Sequence, residues 1–166
     1  MVKKYRGILF FLLIVAVGVG GWLYWTSDVR RIGALIDRLP ALVRKEAGAA
    51  PHDGILRYGE VDRIFTEPFH VKVVYWKLPL PAKLTRSEGR MLLASVHRHI
   101  KSLELRMTSP EIRVDGMEAG FAFDAEVVGS WRGESDSRVV HVTGSAGKID
   151  GRWYIRSVCV EPLLRL

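Results

Sequence analysis

The side chains that could carry out acid–base chemistry in this sequence are three carboxylates and two tyrosines. Asp62, Asp124 or Glu126 could serve as a base, and Tyr58 or Tyr75 could donate a proton to a developing enolate. Such chemistry needs the base in an apolar cavity, close to the donor. No spacing in the sequence singles out one pair, so several combinations remain open.

Two of these carboxylates lie in a strand pattern that argues against catalysis. Asp124 and Glu126 alternate with Phe123 and Ala125, and neighbouring residues of a β-strand point to opposite faces of the sheet. If the phenylalanine faces the core, the carboxylates face solvent. The sequence therefore favours a domain without catalytic residues.

Other residue types that carry chemistry are dispersed. His97 and His99 stand two apart on a predicted helix and point in different directions, which is unsuitable for shared metal ligation. The sequence contains neither a phosphate-binding glycine loop nor a Gly-x-Ser-x-Gly nucleophile motif. Cys159, the only cysteine, lies in an alternating run and is predicted to be a small buried hydrophobe. We predict no metal site and no cofactor.

An uncharged run of nineteen residues, 7–25, precedes all of these side chains. A helix of that length, with a rise of about 1.5 Å per residue, matches the hydrocarbon core of a bilayer, which is about 30 Å thick. We predict a single-pass anchor over residues 7–25, preceded by a cytoplasmic tail at 1–6. The alternative, a cleaved signal peptide, needs a shorter apolar run and a small-residue cleavage site.

The flanks of the run support the anchor and suggest its orientation. Basic residues stand at positions 3–6, and aromatic residues crowd positions 22–25 like an interfacial belt. We expect the domain after Ser27 to lie outside the cytoplasm, with the anchor in the inner membrane. The residues assigned to the span include Gly7, Phe11, Gly18, Gly20, Trp22 and Trp25.

Residues 27–166 are enough for one compact domain with a core of its own. They contain 22 basic and 18 acidic residues, because three of the 25 basic residues precede Ser27. The excess is modest and the basic residues are scattered among acids without a recognised motif. This pattern excludes nucleic acid as an expected partner.

Apolar residues at steps of three and four predict an amphipathic helix that begins at Ser27 or Asp28. Pro40 should split this helix at Leu39. The segment 51–61 holds either a short helix or a turn. The apolar positions of the first helix are Val29, Ile32, Leu35, Ile36, Leu39, Leu42 and Val43.

A second helix begins at the capping box of Thr85 and Glu88 and is predicted to run to about Leu105. Its apolar stripe consists of Met91, Leu92, Val96, Ile100 and Leu103. Between the two helices, alternation predicts a strand from Phe69 to Trp76.

The chain after Glu111 has a β pattern. Asp115-Gly116 predicts a hairpin, followed by a strand over 117–129 and a polar loop over 129–137. Asp150-Gly151 predicts a type I′ turn between strands 138–148 and 152–160. With that turn, the predicted core face consists of Val140, Val142, Ala146, Trp153, Ile155 and Cys159, with Val142 opposite Cys159.

This order of elements resembles the nuclear transport factor 2-like superfamily, whose closing hairpin is similar to residues 147–160 here. The resemblance implies an α+β fold in which two or three helices pack on a curved antiparallel sheet to form a cone. It also implies a homodimer through the sheet face. Ketosteroid isomerases and polyketide cyclases share the fold, which hosts enzymes, binding modules and scaffolds alike. An anchor followed by such a domain resembles the bitopic inner-membrane assembly component of type IV secretion systems.

Two functions follow as expectations. The first is a non-catalytic, membrane-anchored interaction or scaffold module of a bacterial envelope complex, whose partners are the bilayer and other envelope proteins. Trp131, Tyr154 and Arg156 are its candidate partner contacts. The alternative is a domain that binds a small hydrophobic ligand, or acts like an isomerase or cyclase, with its pocket between helices and sheet. The discriminating feature is whether that pocket is open or is filled by Phe121, Phe123, Trp153 and Ile155.

Overall fold

The computed structural model describes residues 14–23, 27–48, 55–74, 83–131 and 134–163. For residues 55, 56 and 131 it describes the backbone but not the side chain. Residues 14–23 are helical. Five further helices are described: α1 (Asp28–Ile36), α2 (Leu39–Val43), α3 (Ile55–Tyr58), α4 (Val61–Ile64) and α5 (Arg86–His99). The strands are β1 (Phe65–Val73), β2 (Ser102–Met107), β3 (Glu111–Asp115), β4 (Glu118–Trp131), β5 (Glu134–Ile149) and β6 (Arg152–Pro162).

The predicted membrane anchor is described only in part. Gly18, Gly20 and Trp22 belong to the helix at 14–23 and are exposed, whereas Gly7, Phe11 and Trp25 lie outside the described residues. Among the helices that are described, none combines the length and the apolar character needed to cross a bilayer.

The six strands form one curved sheet in the order β1-β6-β5-β4-β2, with β3 beside β2 on the same edge of β4. All pairs are antiparallel except β1, which runs parallel to β6. The prediction of an antiparallel sheet was wrong for this edge. A parallel neighbour needs a long connection, and here the whole of α5 and strands β2–β5 intervene.

The first helix begins and splits where the sequence predicts. The Ser27 hydroxyl accepts a hydrogen bond from the backbone N–H of Arg30 at 3.4 Å, and Pro40 stands in the first turn of α2, where its missing N–H costs nothing. The predicted apolar stripe is buried except for Val29, which is exposed, and Val43, which is half-buried. The buried members are Ile32, Leu35, Ile36, Leu39 and Leu42.

Helix α5 begins at the predicted capping box, in which Thr85 N–H donates to Glu88 at 2.7 Å. It ends at His99, not near Leu105. The ammonium of Lys45 donates to the carbonyls of His97 and Ile100 at the C-terminus of the helix, where a cation is favourable. Residues 102–107 form β2. Polar and apolar side chains alternate along them, but the predicted helical stripe extended to Leu103 and concealed this strand pattern. Met91, placed on that stripe, is exposed.

The last hairpin has the predicted turn. Asp150 and Gly151 both have positive φ, 49° and 77°, as a type I′ turn requires, and Trp153 pairs with Lys148. The register then shifts, because Ile155 pairs with Ala146 but Ser157 pairs with Ser145.

Arg156 is the extra residue of this bulge, and it reverses the faces of the strand beyond it. Val142 therefore lies opposite Val160, and Cys159 lies on the outer face of the sheet, opposite Thr143. The prediction that Cys159 belongs to the core face was wrong for this reason.

Three other strand boundaries differ from the predictions. The polar stretch 129–137 is mostly paired strand, since the β4–β5 ladder continues to the pair Trp131 and Glu134. The first strand covers Phe65–Val73, so it begins four residues before the predicted 69–76, whose last two residues lie outside the described part of the chain. The hairpin between β3 and β4 closes at the pair Asp115 and Glu118, so β4 begins one residue after the predicted start at 117.

The space between the helices and the core face of the sheet is filled. Phe121, Phe123, Trp153 and Ile155 are each at most 5% exposed and belong to one apolar cluster with α1, α2, α4 and β1. Gly144 permits this packing, since a Cβ there would overlap the Phe121 ring and lie 2.5 Å from the Ser157 carbonyl oxygen.

Gly144→Ala should lower the free energy of unfolding by about 1–3 kcal/mol, because the added methyl group overpacks the site. Gly120→Ala is the matched control, as no atom lies within 4 Å of a Cβ at that strand position. Urea denaturation of both variants measures the difference. Equal stability of the two variants would contradict the packing described for Phe121.

Candidate functional site

The carboxylate of Asp28, in the first turn of α1, contacts Lys148 and Trp153, which lie on either side of the turn of the last hairpin. Its Oδ1 accepts a hydrogen bond from Trp153 Nε1 at 2.9 Å, and Lys148 Nζ lies 3.0 Å and 3.1 Å from its two oxygens. The Trp153 hydrogen bond, helped by Lys148 and Arg31, holds the pKa of Asp28 below its ordinary value of 3.8. These contacts place α1 alongside β6.

An open cleft of about 440 Å³ lies between α1, α4 and the first residues of β6. Its charged lining consists of Arg31 from α1, Arg38 from the turn between α1 and α2, Asp62 and Arg63 from α4, and Arg152 from β6. Its remaining lining is the apolar and aromatic set Ala34, Leu35, Trp153 and Tyr154. Four guanidinium groups therefore share one cleft with two aromatic rings.

The four arginines of the cleft differ in how closely they are paired with carboxylates. Arg31 lies 3.8 Å from Asp28, which already binds Lys148, and Arg38 lies 3.8 Å from Glu60. Arg63 binds Glu60 more closely, at 2.8 Å. Arg152 makes no ion pair within the part of the chain that the structure describes.

Asp62 does not cancel this positive charge. Its Oδ2 accepts a hydrogen bond from Arg90 at 2.9 Å, so the carboxylate already has a cationic partner outside the cleft lining. Its Oδ1 is buried and has no hydrogen-bond partner among the described residues. Among the described residues, the lining of the cleft therefore has more cationic than anionic side chains, with Arg31, Arg38, Arg63 and Arg152 against Asp62.

The predicted tyrosine donor Tyr58 lies elsewhere, against a buried histidine. Its hydroxyl is 3.4 Å from Nδ1 of His97, whose Nε2 is 3.0 Å from the Val43 carbonyl oxygen. Burial lowers the pKa of His97, and Lys45 adds to the effect. These contacts fit a neutral imidazole that donates from Nε2 and joins α2 to α5, so Tyr58 and His97 have structural roles. Tyr75 lies outside the described residues.

The other predicted carboxylates are on the outer face of the sheet, as the alternation indicated. Asp124 binds His141 at 2.7 Å across strands β4 and β5, and both side chains are exposed to about 40%. Glu126 accepts a hydrogen bond from Ser137 at 2.7 Å. Neither carboxylate lies in an apolar cavity.

The three predicted partner contacts are placed differently from one another. Tyr154 lines the cleft, with the guanidinium of Arg86 5.7 Å from its ring centre. Arg156 lies over Gly147 on the outer face and donates to Glu118 at 2.7 Å. The side chain of Trp131 lies outside the described residues.

Histidine and cysteine form no further site in the described part of the chain. No group of three metal-ligating side chains there could hold a metal ion. His99 points away from His97 and contacts the Ser95 carbonyl oxygen at 2.8 Å. Burial raises the pKa of the Cys159 thiol, which makes it a poor nucleophile.

The four arginines that define the cleft escaped sequence reasoning. They come from α1, the turn that follows it, α4 and β6, and lie up to 121 positions apart, so nothing in their spacing marks them as a set. The only local signal is the helical spacing of Arg31 and Arg38, seven residues apart, which places both on one face of the first helix pattern.

Replacement of Asp28 by alanine should lower the free energy of unfolding at pH 7 by about 1–3 kcal/mol, because the indole N–H of Trp153 loses its acceptor. The pKa of Asp28 is lowered on folding, so its contribution is present above pH 3.8 and is lost as the pH falls through the folded-state pKa. The destabilisation by Asp28→Ala should therefore shrink below about pH 4.

Chemical denaturation at several pH values measures this effect, with Asp37→Ala as control, since the exposed Asp37 carboxylate lies just beyond α1. A destabilisation no greater than that of the control would contradict the role given to Asp28.

Comparisons with solved structures identify the fold as nuclear transport factor 2-like. A protein from Kribbella flavida superposes with a TM-score of 0.70 at 13% identity, covering 82% of this chain and 91% of that one. A nuclear transport factor 2-like superfamily protein from Salmonella enterica gives 0.63 at 15% identity, covering 82% and 92%. A proposed scytalone dehydratase from Novosphingobium aromaticivorans gives 0.63 at 13%, covering 82% and 85%. No protein-family model and no curated protein matches the chain.

Proposed function

We propose that this chain binds a small ligand that has an anionic group and an apolar part, in the cleft between α1, α4 and β6. The observation that carries the proposal is the set of four arginines around one carboxylate that Arg90 already binds. Guanidinium groups bind phosphates and carboxylates through paired hydrogen bonds. The adjacent Trp153, Tyr154 and Leu35 offer apolar surface to the rest of the ligand.

The interior between helices and sheet, where the alternative expectation places a pocket, is filled. A bound ligand therefore depends on the cleft beside this core, whose lining is cationic rather than hydrophobic. The fold is shared with a proposed dehydratase, which is consistent with a small ligand. Of the proposed partner contacts, Arg156 is occupied by Glu118, so it offers less to a protein partner.

We propose binding without catalysis. Among the residues that the structure describes, Asp62 is the only carboxylate that lines the cleft, and it binds Arg90. Tyr58, one of the two candidate proton donors, contacts His97 instead. A carboxylate that is already bound to a cation is poorly suited to act as the base in enolate chemistry.

Calorimetric titration of the full chain in nonionic detergent with 1-naphthyl phosphate tests this function, with neutral 1-naphthol as the ligand control. Arg31→Gln and Arg152→Gln should each weaken binding about 10- to 150-fold, since each removes a charged hydrogen bond worth about 1.5–3 kcal/mol. Arg98→Gln and Arg113→Gln, which change exposed arginines on α5 and β3, should leave the affinity unchanged. Equal binding of naphthol, or full affinity in the cleft variants, would refute the proposal.

We also propose that residues 7–25 hold the chain at the inner membrane, with the domain outside the cytoplasm. The support is the length of the uncharged run, its basic and aromatic flanks, and the exposed apolar side chains of the helix at 14–23, such as Val17 and Val19.

The full chain should remain in the membrane fraction after alkaline carbonate extraction, and added protease should digest the domain in spheroplasts. Val15→Lys with Val17→Lys should release the chain, because charges at the centre of a span are strongly unfavourable. Release of the unsubstituted chain by carbonate would overturn the proposal.

A further inference from the structure

The cleft is close in the chain to the predicted exit from the membrane. The uncharged run ends at Trp25 and α1 begins at Asp28, so Arg31 follows the run by six residues. Three extended residues and one helical turn span at most about 15 Å. The head-group region adds several ångströms to each side of the hydrocarbon core. Arg31 can therefore reach the level of the lipid phosphates.

The lining of the cleft has the chemistry of a head-group site. Arg31 lies on α1, the first element after the run, and Arg38 lies in the turn that follows this helix. Arg152 lines the same cleft without an ion pair among the described residues. Arginine binds phosphate in a bidentate manner, and tryptophan and tyrosine are favoured where a polar and an apolar phase meet. Trp153 and Tyr154 are the aromatic residues of this cleft.

Charge selects among the lipids. Basic groups close to a membrane surface are attracted to anionic lipids, whereas a neutral zwitterionic lipid gives no net attraction. The loose pairing of Arg31 and Arg38, each 3.8 Å from its carboxylate, leaves both free to exchange that partner for a phosphate.

We infer that the ligand of the cleft is the phosphate head group of an anionic phospholipid in the membrane that holds residues 7–25. This inference rests on the proposed function and names its ligand class. The apolar part of the ligand is then the glycerol and upper acyl region, against Leu35 and Trp153.

Photo-crosslinking in vesicles tests the inference. The full chain carrying Ala34→p-benzoylphenylalanine is reconstituted into phosphatidylcholine vesicles with about one fifth phosphatidylglycerol, which gives a negative surface. The ratio of phosphatidylglycerol to phosphatidylcholine adducts should exceed the mole ratio of the two lipids about tenfold, the selectivity expected for one charged contact. The preference should disappear in the Arg31→Gln, Arg152→Gln double variant and persist in the Arg98→Gln, Arg113→Gln control.

A second crosslinker position keeps the test decisive if the change at Ala34 disturbs folding. Arg63→p-benzoylphenylalanine places the probe on the rim of the cleft, where the native side chain is 73% exposed. Adducts in simple proportion to the lipid composition at both positions would overturn the inference. A preference that survives the loss of Arg31 and Arg152 would overturn it as well.

The two proposals fail differently. If 1-naphthyl phosphate binds the detergent-solubilised chain through Arg31 and Arg152 but the vesicle lipids show no preference, the ligand is soluble and only the lipid inference is overturned. If neither ligand depends on these arginines, both proposals are overturned.

Discussion

The contact on which the site depends is the carboxylate of Asp28, which joins the first helix of the domain to the last hairpin of the sheet. It accepts a hydrogen bond from the indole N–H of Trp153 and binds the ammonium of Lys148. Asp28 thus contacts two residues that lie 125 and 120 positions after it in the chain. This contact sets the rotation of α1. Ile32 and Ile36 then face the core, while Arg31 and Arg38 face the cleft.

The filled interior determines where a ligand can bind. Aromatic side chains from β4 and β6 occupy the space between helices and sheet, and Gly144 lets the Phe121 ring lie against the backbone of the sheet. The described residues therefore leave no spacious pocket between the helices and the sheet. The cationic cleft lies beside this core and shares Leu35 and Trp153 with it, so the apolar packing that stabilises the domain also forms one wall of the site.

Local signals in the sequence predicted much of the fold. The cap at Ser27, the split at Pro40, the capping box at Thr85 and the turn at Asp150-Gly151 each depend on residues close in sequence, and all are observed. The bulge at Arg156 and the end of α5 depend on distant contacts, so periodicity alone misplaced Cys159 and β2. The cleft arginines come together only through tertiary packing, and no sequence motif marks them as a group.

The location of a bound anionic ligand tests the central claim most directly. Chemical-shift mapping of the ¹⁵N-labelled full chain during titration with 1-naphthyl phosphate measures it residue by residue. Saturable shifts confined to α1, α4 and residues 152–154, including the Trp153 indole N–H, are the result that this account predicts. Shifts centred on Phe121 and Phe123 inside the domain, or on Asp124 and His141 on the outer face, would contradict it.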